Sequence, residues 1–231
     1  MTSKFVMKNF VCLSILAMLG GSAVAGDHPD PAKVRATFER HFAGRAWSSD
    51  ANVTAAATKT SPLVPFSVRG TGILTDFLEK TTCAGTTCTA STKDGCDCLK
   101  FSGNLNASQL GNASWTAQIT VNAVDCTPLG DPGSDPGNPD VCCFGDGVLD
   151  ATTSGKSPNK LELSLTGPFC NDPNSNDDIA AQGTYIVVTA NSTNKFAASA
   201  GTGQLDLFVG DDTNATTYLS ANGLFQLKSP F

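Results

Sequence analysis

Eight of the nine cysteines in this chain fall between positions 83 and 170, and this clustering constrains the fold more than any other feature. They are Cys83, Cys88, Cys96, Cys98, Cys126, Cys142, Cys143 and Cys170. The ninth, Cys12, lies in an N-terminal segment with the character of an export leader. An even set of cysteines in an exported chain reads as a disulfide framework. Connectivity cannot be taken from spacing, because eight cysteines admit many pairings. The adjacent Cys142 and Cys143 are expected to bond to different partners, since neighbouring side chains of an extended chain point opposite ways. A zinc site is the competing reading. Cys96-x-Cys98 and Cys142-Cys143 are too closely spaced for it, and only Cys83-x4-Cys88 has the usual spacer. No metal or other cofactor is expected.

The leader itself has three parts. Lys4 and Lys8 supply positive charge, Phe10 to Leu19 is an apolar run broken only by Ser14, and Ala23-Val24-Ala25 is a small-x-small cleavage site. The apolar run is about half the roughly 20 residues that a spanning helix needs. Residues 1–25 are therefore expected to be a signal peptide, with Gly26 opening the mature chain. No later segment is long and apolar enough to span a membrane. The expected location is secreted or periplasmic, with no membrane span after cleavage. Cleavage removes two lysines and no acid, so the formal charge of −6 becomes −8. That balance argues against a nucleic-acid partner, which needs clustered cations to neutralise phosphates.

Residues 26–62 read as a helix followed by a linker, and residues 63–231 as one β domain. The helix is expected over 30–43. Asp30 can cap it, Pro31 suits its first turn, Gly44 follows its end, and Val34, Phe38 and Phe42 form one apolar stripe. Residues 46–62 are rich in Ala, Thr and Ser. From residue 63 the pattern changes to short runs of alternating apolar and polar residues, such as Ala117-Gln-Ile119-Thr-Val121 and Leu161-Glu-Leu163-Ser-Leu165. Separated by Gly, Asn, Asp and Pro, such runs describe an all-β antiparallel sandwich or barrel. Eight strands are expected near 64–77, 97–105, 113–124, 146–153, 160–167, 182–190, 201–209 and 217–227. Residues 127–140 hold four prolines and three glycines and are expected to be loop, tied at its base by a Cys126–Cys142 bridge. Residues 171–178 form a second polar loop.

Gly70-Thr-Gly72-Ile-Leu74, Gly145-Asp-Gly147-Val-Leu149 and Gly201-Thr-Gly203-Gln-Leu205 share the pattern Gly-x-Gly-x-Leu. A phosphate-binding loop must follow a strand and open a helix. Each of these copies runs into a strand instead. The expectation is structural: glycine removes the side chain where a strand bends or another backbone comes close.

The C-terminal third, Gly183-Thr-Tyr-Ile-Val-Val-Thr-Ala190 followed by Asn194-Lys-Phe196-Ala-Ala-Ser-Ala200-Gly201-Thr-Gly203, resembles a hairpin of the allene oxide cyclase/dirigent barrel superfamily, a pattern that uncharacterised exported bacterial proteins also carry. Gly70-Thr-Gly72, Ala107-Ser-Gln-Leu-Gly111 and Ala221-Asn-Gly-Leu-Phe225 occupy the places of the opening, middle and closing segments in the same order. The resemblance covers roughly 65–228. The chain departs from the pattern in its Cys-rich insertions, and in Asn191-Ser-Thr-Asn194, which replaces a glycine-rich turn. Asn is the next best residue for left-handed backbone. The resemblance implies an eight-stranded antiparallel barrel, open at one end, with structural roles for Gly70, Gly72, Phe196, Gly201 and Gly203. It implies no particular activity, because one fold hosts many functions.

Catalytic residues are not evident. The two histidines, His28 and His41, lie at the mature terminus and on the helix. No metalloprotease, nucleophile-elbow or Walker pattern occurs. Asp131, Asp135 and Asp140, and Asp172, Asp177 and Asp178, are loop carboxylates without the spacing of a twelve-residue calcium loop. Asn52, Asn106, Asn112, Asn191 and Asn214 open Asn-x-Ser/Thr sequons, which matter only where the host glycosylates. Trp115 and the phenylalanines are expected to pack the barrel rather than line a cavity. The leading expectation is a disulfide-stabilised binding or structural module, whose partner is a small apolar ligand or another surface component. The alternative is a barrel-cavity cyclase or isomerase for an apolar substrate, which needs a polar side chain in a cavity. Glu162 is the nearest candidate, and it alternates with leucines and is expected to face out.

Overall fold

A computed structural model of the chain describes residues 31–42, 63–81, 95–123, 126–128, 141–171, 178–210 and 215–227. The proposed leader, the whole 46–62 linker, Cys83 and Cys88 lie outside these residues. Helix α1 spans Pro31–Phe42. The strands are β1 Leu63–Thr81, β2 Cys96–Ala107, β3 Gly111–Asn122, β4 Thr127–Pro128, β5 Val141–Thr152, β6 Lys160–Asn171, β7 Ile179–Val187, β8 Ala200–Val209 and β9 Thr216–Gln226. All pairings are antiparallel, in the order β3-β2-β1-β9-β8-β7-β6-β5-β4. The additional pairing of β3 with β5, from Ser114↔Thr152 to Val121↔Gly145, closes the eight long strands into a barrel. Closure matters because it pairs the long strands on both sides over most of their length, leaving little free edge on which another chain can pair.

The alternation seen in the sequence is the alternation of the barrel wall. In β3, Ala113, Trp115, Ala117, Ile119 and Val121 are buried in the interior, while Asn112, Ser114 and Thr116 are exposed. Inward residues of all eight long strands form one continuous core that includes Phe66, Leu99, Phe101, Trp115, Leu163, Tyr185, Leu205 and Phe225. At the centre of one end, Phe66 and Phe225 stack with ring centroids 3.9 Å apart. Tyr185 and Phe196 meet Phe225 edge-on at 6.3 and 6.4 Å. Such arrangements suit the ring quadrupoles.

The Gly-x-Gly-x-Leu repeat acquires its explanation here. In all three copies the two glycines and the leucine share the inward face, as period-two geometry requires. In each copy at least one glycine makes room for a large ring from elsewhere in the wall, while Gly147 meets the Gln118 carbonyl and Ile119. A Cβ on Gly72 would lie 2.8 Å from Trp115, one on Gly145 2.8 Å from Phe169, and one on Gly201 2.4 Å from Phe225. On Gly203 it would lie 2.7 Å from Tyr185. Gly70 completes the Trp115 seat, and the indole Nε1 donates to the Thr71 carbonyl at 3.2 Å.

Six of the eight clustered cysteines are described, and all six are disulfide-bonded. Cys142 bonds Cys170, its directly opposed partner between β5 and β6, with Cα atoms 4.0 Å apart. Cys143 bonds Cys126, which precedes β4. The adjacent cysteines do take different partners, on opposite faces of β5. The expected Cys126–Cys142 bridge is corrected to Cys126–Cys143: Cys143 is the inward member of the pair, and Thr127↔Cys142 register sets Cys126 opposite it. Thr127–Pro128, expected to be loop, forms a two-residue edge strand, a place where proline is tolerated. The rest of that proline-rich segment lies outside the described residues. Strand β5 begins at Val141, five positions earlier than expected, within the stretch that both bridges hold.

Cys142 and Cys170 form a second, smaller core with Ala180, Phe42 and Phe38. Helix α1 thus packs its apolar stripe against the outside of the barrel over one disulfide. Its opposite side is solvated, with Arg35 Nε and Glu39 paired at 2.7 Å.

Candidate functional site

The interior is tightly packed among the described residues. One inner void measures about 10 Å³, lined by Phe66, Leu149, Leu163, Leu205 and other apolar side chains, and another about 20 Å³ near Phe169 and Gly183. The open-ended barrel implied by the family resemblance is filled by its own aromatics. The buried Tyr185 hydroxyl has no hydrogen-bond partner among the described residues, and burial pushes it well above the usual phenol range. It stays neutral and lies against Gly223, with no space for a reacting group. Glu162 sits on the outer face, as expected, but is only 7% exposed. The turn that follows β7 covers it. Glu162 Oε1 accepts from Asn191 Nδ2, its Oε2 accepts from Lys160 Nζ at 3.2 Å, and its backbone N–H donates to Ser192 Oγ at 3.1 Å. Asp150 and Glu162 together hold Lys160 above its ordinary pKa, Asp150 most strongly. Glu162 therefore anchors a turn. Asn194 in that turn has φ 52°, the left-handed backbone expected of the Asn-rich replacement.

Among the described residues a large concavity lies on the outside of the barrel wall, an open groove of about 720 Å³ crossing β9, β1, β2, β3 and the end of β5. Its side chains come from outward positions that strand register sets in rows. One row runs Tyr218, Thr71, Asn104, Ser114, Thr152, each directly opposite the next. The adjacent row runs Ser220, Arg69, Asn106, Asn112. Gly72 and Gly103 draw β1 and β2 together beside the groove: a Cβ on Gly103 would lie 2.0 Å from the Thr71 carbonyl oxygen.

Part of this surface is internally satisfied and part is not. Asn106 Nδ2 donates to Asn112 Oδ1 at 2.7 Å, and Ser114 Oγ donates to the Thr152 carbonyl at 3.3 Å. Among the described residues, the side chains of Arg69, Asn104 and Tyr218 have no protein hydrogen-bond partner. Beyond Ser220 the second row continues to Asp206 and Gln182. Burial raises the Asp206 pKa, opposed by hydrogen bonds from Gln182 Nε2 at 3.1 Å and Ser220 Oγ at 3.5 Å. The groove thus offers amides, hydroxyls, one guanidinium and one phenol ring, and no nucleophile–base pair.

Of the residues singled out from the sequence, Gly70 borders this groove and Gly72 lies at its bend, while Gly201, Gly203 and Phe196 belong to the packed aromatic end. The described cysteines lie toward the other ends of their strands, Cys96 and Cys98 at the start of β2, Cys142 and Cys143 at the start of β5 and Cys170 at the end of β6. Asn106 and Asn112 were visible as sequons, whereas Arg69, Thr71, Asn104 and Tyr218 carried no motif. The available signal was the composition of the outward positions on β2 and β3, where Ser102, Asn104, Asn106, Asn112, Ser114, Thr116 and Gln118 are polar and uncharged. Among the described residues no group of His, Cys, Asp and Glu is placed to hold a metal ion, and no helix is long and apolar enough to cross a membrane.

Fold and groove together define the class: a closed, disulfide-bonded antiparallel β-barrel with a filled interior and a polar groove on its outer wall. In comparisons with known proteins, no family model, no curated protein and no solved structure matches the chain.

Proposed function

We propose that this chain is an exported, oxidised scaffold whose role is binding, with the groove over β9, β1, β2, β3 and β5 as its binding face. The observation that carries this reading is the pairing of a filled interior with an open outer groove whose polar side chains are partly unsatisfied. Binding sites are concave and carry a few placed polar groups. The leader-like N-terminus and the disulfide bonds support a secreted or periplasmic location. The segment order of residues 65–228 supports a place among allene oxide cyclase-like exported barrels, and an eight-stranded antiparallel barrel agrees with it.

The alternative, a cyclase or isomerase acting on an apolar substrate inside the barrel, needs a cavity of some hundreds of Å³. The inner voids hold at most a water molecule each. Backbone amide shifts during titration with small polar fragments, and separately with an apolar fluorescent dye, test the two readings. Shifts at Arg69, Asn104 and Tyr218 with the polar fragments are expected. Shifts confined to Leu163, Leu205 and Tyr185 with the dye would reverse the assignment.

A further inference from the structure

We propose that the groove takes an extended, neutral oligosaccharide lying across the strands; this rests on the groove being the binding face. The register supplies the first reason. Five outward side chains, Tyr218, Thr71, Asn104, Ser114 and Thr152, stand in one row on five successive strands. Neighbouring strands are ~4.8 Å apart, so the row presents one polar group per interval over ~19 Å. A pyranose unit in an extended chain is about as long as one such interval. Four to five units therefore match the row one for one.

Chemistry supplies the second reason. A sugar hydroxyl both donates and accepts, and so do amide and hydroxyl side chains, whereas Lys only donates and carboxylates only accept. The row contains no charged residue. Tyr218 at its end offers an apolar ring face for the C–H face of a sugar and a phenol for its hydroxyls. The other ligand classes fit less well. A peptide strand adds to a sheet edge, and among the described residues the strands under the groove are already paired on both sides there. Nucleic acids and polyanionic glycans need several cations, and Arg69 is the single cation lining the groove, in a chain of net charge −6. An apolar ligand leaves the amides unpaired on binding.

The test uses the full oxidised chain and isothermal titration with cellohexaose, chitohexaose, xylohexaose and mannohexaose, each with its shorter homologues. At least one series is expected to bind, with affinity rising about tenfold from disaccharide to tetrasaccharide and levelling beyond the pentasaccharide. Tyr218→Ala is expected to weaken the best hexasaccharide about tenfold, and Asn104→Ala several-fold, with unchanged thermal melts. Amide shifts in the unaltered protein at Thr71, Asn104 and Ser114 give a second readout that needs no variant. Binding by none of the four series, affinity independent of chain length, or shifts outside the groove would overturn the proposal. If polar fragments move the groove and no saccharide does, the saccharide assignment falls and the groove stands. If neither moves it, both fall.

Discussion

The seat that Gly145 makes for Phe169 tests whether the repeated Gly-x-Gly-x-Leu pattern is a packing device. A Cβ on Gly145 would lie 2.8 Å from both Phe169 Cδ2 and Cε2, with the Thr120 carbonyl next at 3.3 Å. The conflict is thus with one side chain more than with backbone. Overpacking of this kind costs about 1–3 kcal/mol. Alanine returns about 0.5–1 kcal/mol by lowering the entropy of the unfolded chain. The expected net loss for Gly145→Ala is about 1–2 kcal/mol, and for a chain of this size each kcal/mol lowers Tm by about 2–4 °C. Phe169→Leu alone removes buried ring atoms and costs about 1–2 kcal/mol. It also vacates the space that the new methyl needs. The double variant is therefore expected to be more stable than the sum of the single losses predicts, with a coupling energy of about 1 kcal/mol. Urea unfolding of all four proteins, disulfides intact and coincidence of fluorescence and circular dichroism checked, measures the cycle. A neutral Gly145→Ala, or losses that add to within about 0.5 kcal/mol, would refute the packing account.

Three further outcomes are expected. Replacing Cys142 and Cys170 by Ser removes a bridge spanning a sequence separation of 28 and is expected to cost about 3 kcal/mol in urea unfolding, with faster amide exchange in α1, which packs over that bridge. Glu162→Ala leaves Asn191 without its acceptor and Lys160 with Asp150 alone, a loss of about 1–3 kcal/mol, with deprotection of the 191–194 turn in hydrogen exchange and no change in groove binding. Asp206 has a folded pKa above its unfolded value, so its contribution falls as pH rises between the two and the ionised form is disfavoured above them. Asp206→Asn is thus expected to gain stability relative to the parent as pH rises through the carboxylate range, and a stability difference constant from pH 3 to 7 would contradict this.

The period-two pattern made the strands readable. Whether a residue faces in or out depends on its immediate neighbours along the chain, so runs such as Leu161-Glu-Leu163-Ser-Leu165 show both the strand and its buried face. The helix was legible for the same reason, through Pro31 and the Val34, Phe38, Phe42 stripe. The even cysteine set announced disulfides, and the opposite directions of Cys142 and Cys143 announced different partners. Which partners, however, depends on strands meeting from distant parts of the chain, and the expected Cys126–Cys142 pairing was displaced by register.

The sequence by itself determined an all-β wall, its inward and outward faces and its oxidised character, because these follow from local alternation and residue chemistry. Tertiary structure decided the rest. Closure through β3 and β5 fixed the register, and register alone set Tyr218 beside Thr71 and Asn104, and Phe169 over Gly145. Glycines whose purpose was ambiguous in the chain became seats for aromatic rings, since what a missing side chain makes room for lies on another strand. The groove has no motif for the same reason: its side chains are neighbours only across the sheet.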